Sequence, residues 1–232
     1  MNAGTALVGD ADVAALGALL AEPARARVLL ALADGRALAA SVLAAEAGVA
    51  ASTASHHLTK LVEGGLLTVS TRGRHRYFAL AGPGVAELIE AAARVAPRQP
   101  VTSMRQGTRA HAVRYARRCY DHLAGRLGVA ITDALCEQGV LAGAPRPAGY
   151  TVTEHGAATL AELSIDAEPG DVVRACLDWT EQRDHIAGPL GRSLMSRLLD
   201  LGWIVDAPMT RAVRITDSGR ANLPDRLGVQ LP

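Results

Sequence analysis

Through residues 11–96 the apolar positions recur at helical spacing, and the gaps between them carry stop signals. Asp10 or Asp12 caps a helix over ADVAALGALLA. Pro23 stands near the start of EPARARVLLALADG, where its missing N–H costs nothing, and Gly35 ends that helix. ALAASVLAAEAG predicts a third short helix closed by Gly48. Ser52 reads as the cap of a fourth, STASHHLTKLVEGG, which stops at Gly64-Gly65. LLTVSTRGRHRYFALAG then alternates around Arg-Gly-Arg, the pattern of a β-hairpin with its turn near Gly73. Gly82-Pro83-Gly84 breaks the chain before VAELIEAAARVA, an amphipathic helix ending at Pro97. Residues 97–108 are polar with two prolines and read as a linker, so the chain divides into 1–96 and 109–232.

The second half echoes the first. LVEGGLLTV at 61–69 resembles LLDLGWIVD at 198–206, and Phe78, Leu80 and Gly84 fall opposite Val213, Ile215 and Gly219. Thr216 with Asp217 starts a last helix, and Thr153-Glu154 marks a similar junction after Tyr150. The fold class expected is mainly α with small β-hairpin wings. It comprises an N-terminal winged helix-turn-helix and a C-terminal, degenerate winged-helix-like domain.

Residues 37–64 form the unit that carries chemistry: two helices joined by a short turn containing Gly48, a helix-turn-helix. On its second helix Ala54, Leu58, Leu61 and Val62 share the inward face. Ser52, Thr53, Ser55, His56, Thr59 and Lys60 are left outward, with His57 at the boundary. All of these donate hydrogen bonds, and only Glu63, at the far end, is acidic. Such a face suits a major groove, where phosphates line the walls and base edges offer acceptors. The hairpin adds Arg72, Arg74, His75 and Arg76 at its tip, placed for the adjacent DNA backbone or minor groove.

Composition changes this picture only at the margins. Net charge is +1, so a nucleic-acid signal must be local. Apolar residues make up 49% and aromatic ones 3%, which favours a core of Ala, Leu and Val in close-packed helices. From 91 to 120 there are seven arginines and no acid, whereas 121–232 holds ten basic and fifteen acidic residues. The bland reading of that arginine run is a solvated linker and helix face. Three scattered cysteines without a CxxC pair argue against a disulfide scaffold, and no basic leader or long apolar span is present. A soluble, cytoplasmic protein is the expectation.

STASHHLTKLVEGGLL followed by RGRHRYFAL resembles the recognition helix and wing of the ArsR/SmtB-type winged-helix repressors. The similarity reaches back through PARARVLLALADG and covers about residues 12–96. The remainder resembles the longer members with an extra C-terminal domain. The resemblance implies a homodimer that binds a double-stranded DNA operator and is released by an effector. Helices near 11–21 and 84–96 would form its dimer interface. The metal positions of that family do not carry over: SVLAAEAGVA has no Cys, and VAELIEAAARVA offers only Glu87 and Glu90.

An effector is therefore expected in 109–232. RRCYDHLAGRLG reads as a helix with Cys119 and His122 three apart on one face, and CLDWTEQRDHIAG adds Cys176, Trp179 and His185. Cys119, His122, Cys176 and His185 suffice for a soft-metal site, a cysteine for redox sensing, and Tyr120 with Trp179 for the walls of an organic pocket. Without tight spacing, no metal site and no cofactor are assigned. Cys136 reads as core. No Walker loop, strand-linked GxGxxG, GxSxG or HExxH is present, so no catalytic residue is named and no enzyme is expected. The alternative to a DNA-binding regulator is a winged-helix protein–protein module.

Overall fold

In a computed structural model the described residues are 10–97, 100, 103–208 and 211–232. Asp12 caps α1 (Val13–Leu20) by accepting from the Ala15 amide at 2.8 Å. Pro23 opens α2 (Pro23–Leu32), and a two-residue strand β1 (Leu38–Ala39) precedes α3 (Ala40–Ala47). Gly48, in the left-handed conformation at φ 69°, ends α3 and turns the chain into α4 (Ala51–Glu63). That helix begins one residue before the expected cap. Ala50 is its N-cap and accepts from the Ala54 amide, so Ser52 lies inside the first turn with its hydroxyl outward. The hairpin is β2 (Leu67–Arg72) with β3 (His75–Leu80), turning at Gly73. β1 adds to it through Leu38 opposite Phe78, giving the order β1-β3-β2. The isolated dipeptide β1 lies inside what the sequence presents as helix. α5 (Pro83–Val95) closes this unit.

Ala24, Val28, Leu29, Leu32, Leu43, Leu58, Leu61, Phe78 and Ile89 build the first core. α1 stands apart from it. Leu16, Leu19 and Leu20 are half-buried against that core, yet no α1 residue is fully buried and Val13 is 71% exposed.

α6 (Met104–Tyr115) starts within the stretch read as linker. Arg98, with residues 99, 101 and 102 of the linker, and Met209-Thr210 lie outside the described residues. The chain continues as β4 (Arg117–Cys119), β5 (His122–Ala124), α7 (Gly125–Glu137), β6 (Leu141–Ala144), β7 (Gly149–Val152) and α8 (Glu154–Glu162). It then repeats that order: β8 (Val172–Leu177), β9 (Asp184–Ala187), α9 (Gly188–Asp200), β10 (Ile204–Asp206), β11 (Val213–Ile215) and α10 (Asp217–Leu227).

The repetition is written in the sequence. HLAGRLG at 122–128 becomes HIAGPLG at 185–191, and the same offset of 63 puts Gly139 on Gly202, Thr153 on Thr216, Gly156 on Gly219 and Leu160 on Leu223. Equivalent residues make equivalent contacts. Thr153 caps α8 by accepting from Gly156 N at 2.8 Å and donates to Gly139 O. Thr216 caps α10 from Gly219 N at 3.0 Å and donates to Gly202 O.

The two copies are intertwined. β6-β7 of the first joins β8-β9 of the second in one four-stranded sheet. β11 reaches β4 through the Val213 amide on Ala116 O and an Arg117–Ala212 bridge. A pseudo-twofold therefore runs through the second domain, whose core includes Leu127, Ile131, Leu135, Leu160, Leu194, Leu198, Ile204 and Leu223. Among the described residues no helix is long and apolar enough to cross a membrane.

Candidate nucleic-acid interface and a buried cysteine–histidine cluster

α4 turns Ala54, Leu58 and Leu61 into the core and half-buries Val62. Ser52, Thr53, His56, Thr59 and Lys60 are exposed, while Ser55 and His57 are half-buried. The hairpin tip leaves Arg72, Arg74, His75 and Arg76 exposed beside them. Arg76 bridges the two elements, donating to Ser55 Oγ at 3.4 Å while its guanidinium lies over Phe78. Arg72 similarly covers Tyr77 at 5.7 Å. Tyr77 and Phe78 are adjacent in β3, so these two ring contacts lie on opposite faces of the wing. α4 and the adjoining wing together expose hydroxyls, imidazoles and cations, without an acidic side chain from Ser52 to Lys60.

Of the six residues expected around an effector, Cys119, His122, Cys176 and His185 converge, though not on helices. Cys119 and His122 lie on β4 and β5 and are direct cross-strand partners. The expected helix fails because Tyr120, at φ 58°, makes a tight turn with Asp121, and the chain leaves it as a strand. Cys176 and His185 are likewise cross-strand partners, on β8 and β9. The pseudo-twofold then brings the two pairs together. His122 Nε2 and His185 Nε2 are 3.1 Å apart, the sulfurs of Cys119 and Cys176 are 3.9 Å apart, and all four potential ligand atoms lie within 4.8 Å of one another.

Cys119, His122 and His185 are buried and Cys176 is half-buried. Of the two thiols, Cys176 is the one whose pKa is lowered: the Cys119 S–H donating to its sulfur, with His122 and His185, outweighs the cost of burial. Cys119, as that donor, is held well above the usual thiol range. Burial opposes charge on His122, but Asp121 at 3.1 Å and the Cys176 sulfur outweigh it and raise its pKa.

Trp179 and Tyr120 fall outside the cluster and join it to the rest of the molecule. The Trp179 ring lies between the guanidinia of Arg117 at 4.8 Å and Arg211 at 5.8 Å. Arg117, fully buried, pairs with Asp178 at 2.9 Å; Arg211 pairs with Glu90 of α5 at 2.6 Å. Tyr120 packs against the first core, and its amide donates to Ala33 O at 2.7 Å. A cleft of about 440 Å³ separates α5 from the second domain, with Cys119, His122 and Cys176 in its wall. Cys136 is half-buried against the second core. Asp178 stands in the CLDWTEQRDHIAG segment, Glu90 on the fifth helix and Arg117 in the arginine run, but no local pattern marks that the three meet in one buried network. Sequence reasoning missed the 63-residue repeat, which was visible in HLAGRLG and HIAGPLG.

Helix, turn, outward-facing helix and arginine-tipped hairpin define a winged helix-turn-helix protein. A family model described as a helix-turn-helix domain matches residues 20–70. An HTH-type transcriptional regulator of Bacillus subtilis (strain 168), YdfF, is 40% identical over 225 residues, spanning 95% of this chain and 99% of the relative. Among solved structures, a homodimeric winged helix-turn-helix DNA-binding domain from Mycobacterium bovis is 28% identical. It covers 42% of this chain and 100% of that one, at a TM-score of 0.33. The cadmium metal-sensor CMTR from Mycobacterium tuberculosis is 35% identical and covers 39% of this chain and 98% of that one, at a TM-score of 0.32. The chain belongs to the HTH-type transcriptional regulators. The interaction-module alternative is not favoured.

Proposed function

We propose that the chain is a cytoplasmic, dimeric repressor of the ArsR/SmtB type that binds an operator through α4 and the β2-β3 wing and is released by an effector acting on residues 109–232. The observation that carries the DNA reading is the exposed α4 face from Ser52 to Lys60, free of acids, beside the arginine-tipped wing. Lys60 and Arg74 are placed to neutralise phosphates; Ser55 and His56 are placed to meet base edges. One such helix is too small a contact for specific affinity, so pairing is part of the reading. Two copies related by a twofold would place their recognition helices about 34 Å apart, one helical turn of DNA. Apolar α1, of which no residue is fully buried, and the half-buried Val85 and Leu88 of α5 are the surfaces assigned to that pairing. No enzymatic role is proposed.

The test is selection of bound fragments from the source genome with the full chain, followed by gel-shift titration of the recovered sequence. Binding is expected to weaken steeply with salt and to be lost when Ser55, His56, Lys60 and Arg74 are all changed to Ala. Equal binding by that quadruple variant would overturn the placement.

A further inference from the structure

The sulfur–sulfur and nitrogen–nitrogen separations of the four-residue cluster are those of a coordination shell. A tetrahedral zinc ion bound at about 2.3 Å by sulfur and about 2.0 Å by imidazole nitrogen separates its two sulfurs by roughly 3.8 Å and its two nitrogens by roughly 3.3 Å. The observed separations are 3.9 Å and 3.1 Å. Hydrogen bonding also fits these distances but leaves one ring atom unsatisfied. With two Nε2 atoms face to face, one imidazole must donate to the other, and His185 Nδ1, fully buried, is left with no hydrogen-bond partner. A cation between the rings takes both Nε2 lone pairs instead. His122 Nδ1 is hydrogen-bonded to Asp121 at 3.1 Å, and His185 Nδ1 stands 3.8 Å from the Asp178 carboxylate. Arg192 and Arg117 already neutralise those two carboxylates at 2.7 and 2.9 Å. Two thiolates, two neutral imidazoles and one divalent ion sum to zero charge, as a buried site requires.

We propose that Cys119, His122, Cys176 and His185 bind one divalent d10 cation of the zinc class on the pseudo-twofold of the second domain, and that its binding changes operator affinity. The metal is reached through the cleft beside α5. The coupling half rests on the DNA-binding reading above. It has a short physical path. The turn between ligands Cys119 and His122 is Tyr120-Asp121, and Tyr120 is anchored to Ala33 at the end of α2, which packs on α3 and α4. Closing the β4-β5 and β8-β9 hairpins around an ion therefore acts on the contact that fixes the recognition helix relative to the second domain. The ion shifts DNA affinity by as much as its own affinity differs between the two arrangements, no more.

The experiment uses the reduced full chain and the metal alone. Cobalt(II) is expected to bind one per chain, with the d–d absorption of a tetrahedral site and thiolate charge-transfer intensity, both bleached by zinc. Zinc is expected to protect Cys119 and Cys176 from alkylation while Cys136 stays reactive, a readout that needs no variant. Cys176→Ser should lose the cobalt spectrum, and Cys136→Ser should keep it. Octahedral cobalt, or three thiols alkylated alike with and without zinc, would overturn the site. Zinc should change operator affinity at least about tenfold in the wild type and not in Cys176→Ser. Tight zinc binding with unchanged DNA affinity would overturn the coupling and leave the site standing. If the chain binds no DNA under any condition, the DNA reading fails, and the cobalt and alkylation results still decide the site.

Discussion

Glu90 of α5 and Arg211 of the last hairpin form an ion pair at 2.6 Å with both side chains buried. The two residues belong to different cores, so this pair fastens the recognition domain to the second domain. Arg117 stands 4.0 Å from the same carboxylate and 2.9 Å from Asp178. Removing one member of a buried pair strands the other, at a cost of about 3–5 kcal/mol. Glu90→Gln is therefore expected to destabilise the chain by that order. In calorimetry the unfolding transition should move down and separate into two. Glu87 and Arg174 are also joined across the cleft, at 2.9 Å, but are 64% and 67% exposed. Glu87→Gln should cost less than about 1 kcal/mol. Equal effects from the two substitutions would show that the buried pair does not hold the domains.

Charge and sequence reading should separate on the DNA surface. Lys60→Ala or Arg74→Ala is expected to weaken binding to every duplex alike and to reduce the salt slope by about one for each phosphate no longer neutralised. His56→Ala should instead change which sequences are preferred, with the salt slope nearly unchanged. Competition gel shifts at several salt concentrations distinguish the two. A Lys60 variant with altered sequence preference and an intact slope would place that residue in the groove rather than on the backbone.

The first domain was legible because its signals are long. Helices of eight or more residues carry full turns of period, and Pro23, Gly48 and Gly73 mark boundaries that backbone geometry dictates. The error at Ser52 is one of register: a good capping residue stood two positions late, and the Gly48 turn had already fixed Ala50 as the first acceptor. The cluster was not legible as a site. β4 and β5 have three residues each, too few to show alternation, and RRCYDHLAGRLG carries enough good helix formers to read as helix. The ligand spacing also differs, since Cys119 and His122 are three apart while Cys176 and His185 are nine apart, across a longer turn. Pairing across strands makes both spacings equivalent in space, which no linear motif records.

Dimerisation should depend on α1. Its eight residues are all apolar or glycine, none is buried within the chain, and Arg25 fixes its C-terminal end by donating to Leu19 O and Ala18 O at 2.7 Å. Burying a valine side chain contributes about 1.5–3 kcal/mol. Val13→Glu is expected to raise the dimer dissociation constant more than about tenfold in sedimentation equilibrium, without lowering the stability of the monomer. A wild type that sediments as a monomer at micromolar concentration, with and without DNA, would refute the pairing.

The internal repeat makes a paired prediction about packing. A Cβ added at Gly156 would lie 2.0 Å from Val140 O, and one at the equivalent Gly219 would lie 1.9 Å from Trp203 O. Both neighbours are backbone, so neither can swing aside, and the first turn of α8 or α10 has to lift from the strand it packs on. Overpacking of this kind costs about 1–3 kcal/mol. For a chain of this length that is a fall in melting temperature of roughly 2–12 °C. Gly156→Ala and Gly219→Ala should therefore lower the second domain's transition by similar amounts. Gly17→Ala, at a helix position with nothing within 4 Å, should leave stability unchanged or raise it by about 0.5–1 kcal/mol. If only one of the paired variants is destabilised, the two halves of the second domain are not held by the same contact, and the pseudo-twofold does not extend to its energetics.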